Sequence, residues 1–164
     1  MGEKMNVVAS RVDERLVHGQ IMTSWAKHLQ LKRIIIVDDQ VAKDDFMMTV
    51  LSMSAPAGIA IEIFSVDDAA NKIATDTSSE KTLLLFKKIS AALKLTQVLK
   101  GTPSACTELN IGNIGSVPGR MQVTKNVFLS SEEKNQIKQL QSMGVNVFLQ
   151  MLYTDPRTSA NNVI

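Results

Sequence analysis

An α/β fold is predicted for this 164-residue chain, with helices on both faces of a mostly parallel central sheet in three layers. Three features predict it. Short apolar runs alternate with segments of helical periodicity along nearly the whole chain, the pattern of successive strand-helix-strand crossovers. Two of the runs, Arg33–Val37 and Thr82–Phe86, are apolar without alternation, as strands covered on both faces are. Gly, Pro and Asp/Ser clusters punctuate the runs at short intervals, and no repeat or low-complexity stretch interrupts them.

In chain order, residues 5–9 read as the first strand and residues 11–20 as the loop that leaves it. The first helix follows, with Ile21, Met22, Trp25, Ala26 and Leu29 on one buried stripe and His28 at its flank. Arg33–Val37 is the second strand, ending at Asp38-Asp39-Gln40. A helical stripe of Phe46, Met47, Val50 and Leu51 comes next, with Asp44 and Asp45 in its first turn where negative charge suits the helix dipole. Residues 59–64 form the third strand, and residues 66–74 a helix capped by Ser65 or Asp67. Thr82–Phe86 leads through Lys87-Lys88 into a helix over 90–100. Residues 108–111 are a short strand opening into the glycine-containing loop 112–115, and 126–129 are a further strand of the series. Ser130-Ser131-Glu132-Glu133 reads as a capping box, Ile137 and Leu140 face inward, and Gly144 closes that helix. A last strand covers 145–151.

Composition narrows the function classes. Hydrophobic residues make up 45% and charged residues 21%, and the net charge is +2, so nucleic acid is not an expected partner. The single cysteine, Cys106, allows no internal disulfide and reads as a small buried apolar residue in a reducing cytosol. No run approaches the roughly 18 apolar residues of a transmembrane helix, and the N-terminus does not resemble a signal peptide. Residues 1–164 are expected to form one domain.

Chemistry concentrates in Arg11-Val12-Asp13-Glu14-Arg15-Leu16-Val17-His18-Gly19-Gln20. This loop places His18 at a helix entrance, where backbone N–H groups without intrahelical acceptors and the helix dipole favour an anion. Gly19 lets a phosphate-sized group approach the backbone, and Arg15 offers a planar fork of donors to its oxygens. Imidazole is a nucleophile near neutral pH, and Asp13 could hold its second nitrogen. These parts describe a phosphorylatable histidine. The ordinary alternative is a capping or solvent-bonded histidine.

The same decapeptide resembles the phosphorylation-site segment of the IIB components of the bacterial sugar phosphotransferase system, mannose/fructose/sorbose family. That resemblance implies a three-layer α/β/α fold with the active loop after the first strand. It implies that His18, through Nδ1, accepts a phosphoryl group from a IIA phosphohistidine and gives it to a sugar carried by the membrane partners IIC and IID. Arg15 and Asp13 complete the expected catalytic set. Gly19, Gln20, Arg11 and Gly112 are the expected phosphate contacts, with no metal and no cofactor. A cytoplasmic location at the membrane follows through IIC and IID. The sugar is left open among mannose, fructose, sorbose and amino sugars such as N-acetylgalactosamine, and so is a homo-oligomer.

The loops after the strands should share one rim of the sheet. Asp38-Asp39-Gln40-Val41-Ala42 resembles the family's Asn-Asp-Glu-Val-Ala, and its acids read as caps rather than metal ligands. Lys87 and Lys88 stand where relatives often carry a small polar residue and proline, and read as solvated charges. Asn110-Ile111-Gly112 resembles the family's Asn-Val-Gly turn, with the glycine bringing backbone close to the His18 loop. Leu16, Val17 and Ile114 are expected as exposed apolar residues that dock partners. A histidine phosphatase would need a second facing His, and His28 lies about 15 Å along the same helix. A phosphate-binding regulatory module without turnover would use a similar loop.

Overall fold

The computed structural model describes residues 4–164. Its strands are β1 (Val7–Asp13), β2 (Arg33–Val37), β3 (Ala60–Phe64), β4 (Thr82–Phe86), β5 (Glu108–Asn113), β6 (Met121–Thr124), β7 (Val127–Leu129), β8 (Asn146–Leu149) and β9 (Thr158–Ser159). Its α-helices are α1 (Gly19–Leu29), α2 (Asp45–Met53), α3 (Val66–Thr75), α4 (Ile89–Leu99) and α5 (Ser131–Ser142).

Seven strands form the central sheet in the order β3-β2-β4-β1-β5-β8-β9. All neighbours pair parallel except β9, which runs antiparallel to β8 at the edge. Every residue of β2 and β4 is buried, the outcome expected of uninterrupted apolar runs. One core lies between the sheet and α1 and α2, built around Met22, Ala26, Ile34, Ile36, Leu51 and Leu83. The other lies beneath α3, α4 and α5, around Val12, Ile35, Ile73, Leu84, Leu95 and Ile137. The fold is therefore the expected three-layer α/β/α.

Topology selects the working edge. The chain leaving β1 crosses to the α1 face, whereas the chains leaving its two neighbours, β4 and β5, cross to the opposite face. Right-handed crossovers make these directions obligatory, and the crevice at the carboxyl end of β1 opens where they diverge.

Four expectations need correction. The strand expected over 5–9 extends to Asp13, so Arg11, Val12 and Asp13 are ladder residues and the loop proper is Glu14 to His18. Residues 126–129 do not join the main sheet. They pair with β6 in a separate antiparallel hairpin, which is joined to the chain leaving β5 by a bridge from Ile114 to Val127 and buries Val127 and Leu129 in the core beneath α5. The α2 stripe is narrower than its sequence spacing suggests: Leu51 is buried and Met47 packs beside it, but Phe46 is 75% exposed. Val50 and Met53 are exposed with it, because α2 lies over the margin of the sheet near β3 and one seam is all it can cover. Leu16, Val17 and Ile114, expected on the surface, are all buried.

Candidate functional site

β1 delivers Arg11 and Asp13 to one face of the sheet two residues apart, the period of a strand. Arg11 is fully buried. Its Nη1 donates to Asn110 Oδ1 and to the Gln150 carbonyl at 3.0 Å, and its Nη2 donates to Asp13 Oδ2 at 3.2 Å and the Met151 carbonyl at 3.1 Å. The guanidinium carbon lies 4.8 Å from the Trp25 ring centre. Burial pushes this guanidinium below its ordinary value, and the Asp13 carboxylate pulls it back.

Asp13, also buried, passes the constraint outward. Its Oδ1 accepts from the Arg15 backbone N–H at 3.0 Å and from Arg15 Nε at 3.2 Å, and its Oδ2 accepts from Arg15 Nη2 at 3.2 Å. Arg15 is thereby gripped in two-point fashion along one edge, with Met151 Sδ 3.8 Å from Nη2. Its Nη1 has no partner among the described residues, and the side chain is 29% exposed. The Nη1 side of the held guanidinium is therefore the one left open.

The turn from Glu14 to His18 is anchored by apolar residues. Leu16 takes a left-handed backbone, φ +58°, which costs a branched residue on the order of 1 kcal/mol. Its burial with Val17 against Met22, Ala26 and Val41 offsets that cost. Their burial is the physical reason that they offer no docking surface.

His18 is exposed and extended, φ −142° and ψ 111°, and forms the N-cap of α1 without a side-chain cap bond. Gly19 opens the helix at φ +51°, a conformation that favours glycine, with open space where a Cβ would stand. No acidic residue lies in the first turn. The uncapped N–H groups of α1 therefore point at the space beside His18.

The remaining rim residues separate into roles. Asp38 accepts at Oδ1 from the backbone of Gln40 and Val41, and Asp39 accepts at Oδ1 from Val66 N at 2.8 Å, so both act as caps. Lys88 reaches Gln40 Oε1 at 3.5 Å from an exposed position.

The sequence profile described as PTS system sorbose subfamily IIB component matches residues 7–164. The chain belongs to this IIB family. It is 35% identical over 153 residues to the PTS system sorbose-specific EIIB component of Lacticaseibacillus casei, covering 93% of this chain and 91% of that protein. It is 30% identical to the N-acetylgalactosamine-specific phosphotransferase enzyme IIB component 2 of Escherichia coli K12, covering 92% and 94%. The crystal structure of the IIBSor domain of the Klebsiella pneumoniae sorbose permease superposes with a TM-score of 0.88 at 29% identity, over 96% of this chain and 95% of that one. A IIB component is a phosphotransferase of a sugar transport system.

Within this IIB component, Arg15, His18 and Gly19 all lie between the end of β1 and the first turn of α1, while three expected site residues are placed otherwise than the sequence reading had them. Among the described residues no hydrogen bond joins Asp13 to His18; its oxygens are engaged by the two arginines, and it holds Arg15 instead. Arg11 has no surface through which to reach a phosphate, because its guanidinium is enclosed, with both Nη groups donating to Asn110, Asp13 and two carbonyls and Nε buried without a partner among the described residues. Gly112 serves Arg11: a Cβ there would overlap the guanidinium, so the glycine makes room for the buried cation. Gln20 lies in the first turn of α1, but its side chain is outside the described residues. Sequence reading missed Asn110 as a partner of Arg11, although the Asn-Ile-Gly segment was visible. It also missed Gln150 and Met151, whose backbone carbonyls contribute, and carbonyls leave no trace in residue type.

Proposed function

We propose that His18 is the phosphoryl carrier of this IIB component, taking the group from a IIA phosphohistidine and passing it to a hexose or amino sugar held by IIC and IID. The observation that carries the reading is the pairing of an exposed histidine at an uncapped helix start with an arginine held by Asp13 and open along one edge. A neutral imidazole nitrogen attacks the phosphorus in line, the N–P bond to the donor histidine breaks, and the donor ring leaves neutral once protonated. Arg15 and the first amides of α1 balance the charge on the equatorial oxygens in both half-reactions. In the second step the sugar hydroxyl attacks, its proton is lost, and His18 is the leaving group. The first step exchanges one reactive N–P bond for another and the second spends it on the sugar, so no nucleotide or metal is required.

The assignment of IIA as donor, and of IIC and IID as the components that hold the sugar, rests on family membership, as does a location on the cytoplasmic face of the membrane. Among the described residues no helix is long and apolar enough to cross a bilayer. We take residues 1–164 as one IIB domain. The test is sugar phosphorylation from phosphoenolpyruvate with the general enzymes, cognate IIA and vesicles carrying IIC and IID. Sugar phosphate should form with the wild type and not with His18→Ala. Phosphorylation that persists in His18→Ala removes the assignment, and none with either protein points to a module that binds without turnover.

A further inference from the structure

Next to the held arginine lies a second, oppositely charged problem that the loop must solve. Glu14 immediately precedes Arg15, and its carboxylate stands in the loop that receives a phosphoryl group. It is not free. Oε1 accepts from Arg120 Nη1 at 2.6 Å, and Oε2 accepts from the Gly115 backbone N–H at 3.0 Å. Arg120 is itself fixed from behind. Its Nε and Nη2 donate to the two oxygens of Glu133, each at 2.9 Å, and Nη1 also donates to the Gly115 carbonyl at 3.0 Å. Glu133 is the reciprocal member of the α5 capping box, where Oε1 accepts from Ser130 N and its own N–H donates to Ser130 Oγ.

The outcome is a rigid chain from the start of α5, through Arg120 at the entrance to β6, to the residue beside Arg15. Arg120 is mostly buried, with 17% of its side chain exposed. Both of its edges are used, one on each carboxylate, and an ammonium could not reproduce that fork. These contacts turn Glu14 toward the connection between β5 and β6 and leave Arg15 to Asp13 alone.

We propose that Arg120 is a positioning residue for phosphoryl transfer, which holds and neutralises Glu14 so that this carboxylate neither repels the incoming group nor competes for the open edge of Arg15. The inference rests on His18 being the carrier. Its energetic logic is that an unpaired carboxylate on the residue next to Arg15, only partly exposed, repels an incoming dianionic phosphoryl group through a medium that screens like charges weakly.

The test measures the rate of phosphoryl uptake from the phosphorylated donor for wild type, R120Q, E14Q and the double variant R120Q/E14Q, with folding checked by circular dichroism. R120Q should lower the maximal rate about tenfold or more, with a smaller change in the donor concentration at half rate. E14Q in the R120Q background should recover most of that loss, because the amide it introduces keeps an acceptor for the Gly115 N–H and carries no charge. A scaffold role for Arg120 would not be repaired in this way. If R120Q does not fold, R120K takes its place, since one ammonium cannot serve Glu14 and Glu133 together as the fork does, and E14Q should again recover its deficit. Wild-type rates in R120Q, or a deficit that E14Q leaves untouched, overturn the proposal. A wild type that takes no phosphoryl group on His18 overturns the carrier reading, and this inference with it.

Discussion

At the scale of residues, the site is a relay in which each charge is held by the one beneath it. Arg11 is fixed by two carbonyls, Asn110 and Trp25; it holds Asp13, and Asp13 holds Arg15. The geometry explains why arginine rather than lysine stands at position 15. Two parallel N–H donors grip the carboxylate and Nη1 is left open, an arrangement that a single ammonium cannot match. Arg15→Lys should therefore slow phosphoryl uptake by about tenfold or more while leaving the fold intact. Uptake at the wild-type rate, measured with radiolabelled phosphoenolpyruvate, would contradict the role. Gly112 provides a second residue-scale test. Gly112→Ala would force the Arg11 guanidinium out of its place, and overpacking of this kind costs about 1–3 kcal/mol, readable by denaturant titration. Lost stability should be joined by lost transfer, because Arg11 is the base of the relay.

At the scale of elements, the caps and strand ends were largely legible. Ser130 and Glu133 form the capping box that their spacing announces, and Ser65 caps α3 through Asp68 N. The uninterrupted apolar runs became β2 and β4 with the expected bounds. The β6-β7 hairpin was not legible, since a three-residue apolar run has the same composition whether it joins a parallel sheet or folds onto its neighbour. Polar residues inside strands were similarly opaque: Arg11 and Asp13 read as loop because charge normally ends a strand, and here ion pairing within the core keeps them in it.

One inter-element pairing carries a pH prediction. Arg33 at the start of β2 donates from Nη1 to Asp76, the C-cap of α3, at 2.7 Å, and Lys72 lies 3.3 Å from the same oxygen. Burial pushes the Asp76 carboxyl up, but the Arg33 bond, the Ser78 N–H and Lys72 outweigh it and bring it from 3.8 to about 2. The depressed value means that the unfolded chain binds the proton more tightly, so the pairing stabilises fully above pH 4 and its contribution is lost as pH falls from about 4 toward 2. After solvent screening this amounts to about 1–2 kcal/mol. Asp76→Asn should flatten the stability profile in that window, and an unchanged acid limb in urea titrations would contradict the assignment.

At the scale of the whole molecule, function follows from where the sheet changes direction. The first crossover leaves β1 on one face and the flanking chains leave on the other, so the loop after β1 lies at the point where such sheets open a crevice. Alternating strands and helices made this edge predictable before any contact was known, and the segment that bears Arg15 and His18 could be placed on it. The supporting shell could not. Asn110, Arg120, Glu133, Gln150 and Met151 lie 92 to 133 positions from His18 in the chain, and only the folded order β1-β5-β8 together with the hairpin brings them to the loop. The same separation explains why Arg11 was misassigned: its partners close around it from strands that sequence spacing does not align.

The measurement that bears most directly on this account is phosphoryl uptake from phosphoenolpyruvate through the general enzymes and cognate IIA, with the modified residue mapped in wild type and His18→Ala. The account predicts an acid-labile, base-stable phosphoryl group on His18, absent from the variant. A phosphoryl group on any other residue, or none with an active and matched IIA, would contradict it.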